Sequence, residues 1–195
     1  VALTNGYIDI EALKEAIGER TEDHDDAYAR AIDAASRQID EFRGDQFWLE
    51  PVPTPRIFRA DHPELLWTGD YATTTGMVVA TDDDGDGVFE TVWAAADWQA
   101  EPLRRLNGRP YDRVVAKGTK SFPLTYARAA IQVTARWGWS AVPEAVIQAC
   151  QILAVDHFKS KDLTGGVAGF SDLGAVRIPG FAPQARALLA PYELP

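Results

Sequence analysis

Six residues from Asp82 to Gly87 read DDDGDG, between MVVAT and VFETVW. Asp82, Asp84 and Asp86 match positions one, three and five of an EF-hand calcium loop, and Gly87 matches its sharp-turn glycine. Val88 would add a backbone carbonyl, and Glu90 falls at position nine. Position twelve, where a bidentate glutamate is needed, is Trp93, and the flanks read as strands instead of the two helices of an EF-hand. The stretch is therefore read as a hairpin tip turned by Asp-Gly chemistry. Asp82, Asp84 and Asp86 stay as candidate ligands, with calcium as the possible ion.

Other reactive side chains do not form a pattern. Cys150 lies on the apolar stripe of a helix, where a small buried hydrophobe is the ordinary role. His157 has Asp156 beside it but no G-x-S-x-G nucleophile turn to serve. His24 and His62 lack ligand-spaced partners, and the acidic EDHDD at Glu22–Asp26 suits the positive end of a helix, capped by Asp23 or Thr21. Phosphate-binding glycine loops and H-E-x-x-H are absent from the sequence. These readings predict no catalytic residues, no cofactor-binding residues and no enzyme.

The 195 residues carry a net charge of −10, unevenly spread. Residues 1–50 hold 13 acids against 5 Lys and Arg, a balance of −8. From Pro102 to Arg136 the sign inverts: Arg104, Arg105, Arg109, Arg113, Lys117, Lys120, Arg128 and Arg136 face Asp112 alone. An acidic front and a basic strip point to self-association, with Arg104, Arg105, Arg109 and Arg113 as subunit-contact candidates. Free nucleic acid is a poor target for so acidic a chain. An apolar fraction of 46% with 20 aromatics (6 Trp, 6 Tyr, 8 Phe) supports a folded core. One cysteine excludes an intrachain disulfide, and no apolar run reaches membrane-spanning length. The first residues lack a secretion signal's basic-then-apolar design, so a reducing compartment is expected.

These side chains must be positioned by a few elements. Asp9 as N-cap, Ile10, Leu13 and Ile17 at helical spacing and Gly18 as stop predict a first helix. Tyr28, Ala31, Ile32, Ala35, Ile39 and Phe42 predict a second over about Glu22 to Arg43, ended by Gly44. Proline punctuation from Pro51 then breaks the helical pattern. Short β-type runs follow: RIFRA, GMVVAT, VFETVW, DRVVA and AAIQVTARWGW, with a two-residue period in IQVTARW. SAVPEAVIQACQILAVDHFKSK returns to helix, and a glycine-rich arm with an extended piece near AVRI leads to PQARALLAPY, a short helix stopped by Pro191. The expected fold is α+β: a helical bundle of two N-terminal helices and a long C-terminal helix, with an inserted antiparallel β region and a C-terminal arm. Its expected divisions are 1–50 with 137–162 as helical core, 51–136 as insertion and 163–195 as arm.

Three stretches in order carry a resemblance. The first is LKEAIGERTEDHDDAYARAIDAASRQIDEFRGDQFW; the second is TDDDGDGVFETVW, running on to EPL and GRPY. The third is VPEAVIQACQILAVDHFKSKD, with GVAGFSDLGAVRI and LLAPY after it. Together they resemble the head–tail connector (adaptor) proteins of long-tailed bacteriophages, especially those of actinobacterial hosts. The resemblance spans nearly the whole chain and rests on the order of the stretches, since none is catalytic.

The resemblance implies a structural virion protein, assembled in the host cytoplasm and placed at the head–tail interface. It would form a ring, usually twelve-fold, beneath the portal protein. That ring would extend the channel through which DNA passes without sequence-specific binding, and dock the head-closure (stopper) or tail protein. It further implies portal docking by Leu163 to Tyr192, with Val176, Ile178, Phe181, Leu188 and Leu189 as apolar anchors. The acidic residues 1–50 would suit a channel wall that DNA slides past. The alternatives are a stopper or tail-completion protein of the same virion, and a calcium-responsive binding module.

Overall fold

The computed structural model describes residues 3, 5–124, 129–160, 167–171, 174–177 and 181–193. The chain divides into two compact units: residues 1–44 with 142–195, and residues 45–141.

In the first unit, α1 (Ile10–Ile17) is bounded by its own sequence. The Asp9 carboxylate accepts from the Ala12 amide at 2.8 Å, and Gly18 closes the helix with φ of 83°. Helix α2 (Asp25–Arg43) starts at His24, which makes no side-chain cap, so neither Asp23 nor Thr21 has the capping role expected of it. It ends at Gly44 with φ of 80°. Tyr28, Ile32, Ala35 and Ile39 form its buried stripe. That stripe packs on α3 (Glu144–Ser160), which buries Val146, Ala149, Cys150, Leu153 and Ala154. A hairpin follows, β7 (Val167–Ser171) with β8 (Gly174–Arg177). Helix α4 (Pro183–Leu189) and a 3-10 turn through Tyr192 complete the unit. Helix α4 packs on α3, and the Arg43 Nε–H donates to the Tyr192 carbonyl at 3.1 Å.

The second unit is a six-stranded antiparallel sheet. Strands β1 (Thr54–Phe58), β6 (Ile131–Trp137), β2 (Leu65–Thr81), β5 (Tyr111–Ala116) and β4 (Trp98–Glu101) lie in that order, and β3 (Thr91–Val92) pairs with β2. Along β6, Ile131, Val133, Ala135 and Trp137 are buried while Gln132, Thr134 and Arg136 are half-buried, as the two-residue period predicts. Strand β2 is long enough to pair with both β5 and β6 because register shifts bend it around Tyr71 and Thr73. Its inner residues, with Val114, Trp93 and Phe122, close the core of this unit.

The expected helical bundle closed by a long C-terminal helix is corrected. Among the described residues the helices have 8, 19, 17 and 7 residues; the longest is the N-terminal α2, and the last is the short α4. The β residues are not an appendage to a bundle. Alternating apolar positions along β2, β5 and β6 give the sheet a core of its own, so it forms a compact unit without needing a helix face.

Candidate functional site

The DDDGDG stretch joins β2 to β3, and the structure shows why it turns. Asp82 is 2% exposed, and its two carboxylate oxygens accept from the Gly85 and Gly87 amides at 2.5 and 3.1 Å. The Asp84 carboxylate accepts from Asp86 N–H and that of Asp86 from Val88 N–H, at 3.1 and 2.7 Å. Asp83 turns away to accept from the Thr91 hydroxyl at 2.7 Å, a bond that holds its carboxyl below the usual range. One ligand atom each from Asp82, Asp84, Asp86 and Glu90 lies within 4.8 Å of the others, so these four could share a cation. Trp93 is stacked on Phe122 in the sheet core, ring centroids 4.8 Å apart, and offers nothing to such an ion. Asp82→Ala leaves two loop amides without their acceptor and is expected to cost the sheet unit about 1–3 kcal/mol. A chelator added to the wild type is expected to leave the melt unmoved, which thermal unfolding followed by circular dichroism checks.

The reactive residues of the helical unit, the buried Cys150 and the half-buried His157, have separate partners. The Cys150 thiol sits 3.5 Å from the Ser36 hydroxyl, and burial pushes its pKa up to about 11. His157 Nε2 lies 2.9 Å from the Gln38 side-chain oxygen, and burial, opposed by the Asp156 charge, pulls its pKa down. Neither group faces the other as a nucleophile and base would. Tyr28, hydrogen-bonded to Glu19 and packed on Phe158 with centroids 4.5 Å apart, is pushed up to about 12, first by burial.

These shifts set a pH window. The folded His157 favours its neutral form, so its contribution is present above the ordinary value of 6.5 and is lost as pH falls. The folded Tyr28 also favours its neutral form, so its contribution is complete below 10 and is lost as pH rises toward 12. Urea midpoints of the wild type should therefore decline on both sides of that window. His157→Gln should make the acid limb shallower and Tyr28→Phe the alkaline one, to which the raised Cys150 thiol also contributes.

The four arginines expected at a subunit contact separate into two kinds. Arg105 lies over the Tyr111 ring at 4.1 Å and donates to the Ala72 carbonyl at 3.1 Å. Arg113 lies over Trp67 at 4.6 Å, 3.1 Å from Asp112 and 3.9 Å from Glu101. Burial holds the Asp112 carboxyl above its ordinary value, against the pull of Arg113. Both arginines thus brace the sheet. Arg104 and Arg109 are exposed on the β4–β5 loop. That loop also shows Leu103 and Leu106, 74% and 56% exposed, which the sequence reading passed over. The signal was there: Leu103 and Leu106 flank the arginine pair Arg104–Arg105 between Pro102 and Gly108.

The arm residues also differ among themselves. Ile178 lies outside the described residues, and of Val176 only the backbone, in β8, is described. Phe181 packs on Phe42 with centroids 4.8 Å apart, and Leu188 is half-buried. Leu189, 1% exposed, belongs to the core of the helical unit.

Among the described residues no helix is long and apolar enough to cross a membrane. No protein-family model matches the sequence. No curated protein matches it either. Several solved structures share the fold, among them three from gene transfer agent particles. They are chains from the neck of the empty GTA particle with C6 symmetry (18% identity, TM-score 0.60) and the virion of the native gene transfer agent (GTA) particle (19%, 0.56). The third is from the neck of the native GTA particle with C12 symmetry (21%, 0.55). Each match covers 99% of this chain and 92% of the other. At these identities the likeness is one of fold.

Proposed function

We propose that this chain is a structural, non-enzymatic component of the neck of a tailed-phage particle, a head–tail connector. One observation carries the reading: the fold runs end to end along chains taken from the necks of phage-like particles. The ordered sequence resemblance supports it independently, and it alone supports the finer assignment to phages of actinobacterial hosts. Copies of the chain form a ring, twelve-fold in this reading, beneath the portal protein. The ring extends the DNA channel and docks the head-closure or tail protein, so the protein resides in the virion after assembly in the host cytoplasm.

Portal docking falls to the segment from Leu163 to Tyr192. Val176, Ile178, Phe181 and Leu188 supply apolar contact, and the buried Leu189 anchors the helix that presents Leu188. The DDDGDG loop is a hairpin tip in this reading, with calcium at most an accessory. Native mass spectrometry of the chain, with and without portal protein, tests the proposal. Rings or portal-bound multimers are expected; a chain that stays monomeric in both mixtures would refute it. Binding to the tail side alone would instead favour a stopper or tail-completion role.

A further inference from the structure

The β4–β5 loop exposes apolar side chains on a braced backbone. Its 3-10 turn, Leu106–Gly108, is closed by the Arg109 amide donating to the Leu106 carbonyl at 3.1 Å. The Arg105 guanidinium, on Tyr111 and the Ala72 carbonyl, ties the loop to the sheet. Leu103 is the most exposed of the large hydrophobics among the described residues, and Leu106 and Arg104 stand out beside it. Two leucines held in water on a pinned loop, flanked by guanidinium groups, fit an acidic partner surface with some apolar floor.

The chain carries such a surface. An open groove of about 690 Å³ runs along α1, lined by Asp9, Glu11, Glu15 and Glu19 around Ala12 and Gly18. Two cations also line it, Lys14 and Arg20. Lys14 is already engaged by Asp25 at 2.7 Å and Glu11 at 3.4 Å, which raises its pKa, first through the Asp25 hydrogen bond. Asp9 and Glu19 are spent on the Ala12 amide and the Tyr28 hydroxyl. Glu15, exposed, and Glu11, its side chain 82% exposed, remain presented to an incoming cation.

We propose that the Leu103–Arg109 loop of one copy seats in the α1 groove of a second copy. Arg104 meets Glu11 and Glu15, and Leu103 and Leu106 cover Ala12. The contact is head-to-tail, the class of interface from which rings are built when its rotation closes, and closure rests on the ring reading above. Glu11 and Glu15 then serve the neighbour and not the channel wall. Arg105 contributes by holding the loop.

Sedimentation velocity over a concentration series, alone and with portal protein, tests the contact on full-length chains. The set is wild type, Arg104→Glu, Glu11→Arg/Glu15→Arg, all three changes together, and Leu103→Ser/Leu106→Ser. All these positions are solvent-exposed, and matching thermal melts confirm folding. Each charge reversal and the leucine pair should weaken self-association on the order of tenfold, and the triple variant should regain most of the loss. Raising salt should weaken the wild type in the same direction. Rings from Arg104→Glu and Leu103→Ser/Leu106→Ser at wild-type concentrations would overturn this contact and leave the ring intact. A triple variant weaker than either parent would do the same. A wild type monomeric in both series would overturn the ring reading along with it.

Discussion

Trp137→Ala costs the sheet unit about 3–5 kcal/mol, seen as an earlier urea midpoint with an unchanged slope. The indole ends the buried face of β6 and is fully inaccessible. Phe58 and Tyr71 pack against it, centroids 5.7 and 6.1 Å away, the second edge-on. The Arg56 guanidinium covers its ring at 4.4 Å while also reaching Glu50 at 2.9 Å. The Trp137 Nε1–H donates to the Thr54 carbonyl at 2.8 Å. Alanine removes the ring, leaves a cavity no neighbour can fill without moving a strand, and orphans a carbonyl on β1. Trp137→Phe keeps most of the volume and loses the donor, so it should cost clearly less. A loss below about 1 kcal/mol for the alanine variant would mean that β6 does not bury this face.

Gly138→Ala, one residue on, is expected to cost about 3 kcal/mol or more through the backbone alone. Its φ is 95°, and a Cβ there would run into the carbonyl of Trp48. That obstacle is main chain, held close by the Gly138 amide on the Asp70 carbonyl at 2.8 Å and the Glu50 amide on the Trp137 carbonyl at 2.9 Å. Gly44→Ala is the control. Its φ of 80° is similar, but nothing lies within 4 Å of a Cβ there. It should therefore lose only the left-handed preference of glycine, about 1 kcal/mol. Equal losses at the two positions would show that strand and loop do not approach as described.

Much of the local structure was legible in the residues. Asp9 and Gly18 bracket α1, Gly44 stops α2, and Pro143 directly precedes α3, because caps act over three or four residues. The EF-hand reading of DDDGDG failed on Trp93, whose place is in the sheet core. The first half of β2 and all of β4 were not legible. Thr68, Gly69 and Asp70 break the alternation where β2 shifts register, and β4 is four residues paired to a strand ten positions on. The basic strip looked uniform in sequence. Only the fold sets Arg105 on Tyr111 and Arg113 between Trp67 and carboxylates, leaving Arg104 outward.

The sequence by itself determined both ends of α1, the stop of α2, the buried face of β6, the turn chemistry at Asp82, and the acidic front and basic strip of the chain. Each depends on neighbours within a turn or a pleat, or on composition. Tertiary structure decided that the sheet has its own core, that Leu189 is buried and that Leu103 and Leu106 are not. It also decided which charges are satisfied within the chain. Those outcomes rest on partners tens of residues away, and residue type says whether a side chain can be buried or paired, never which distant group will meet it.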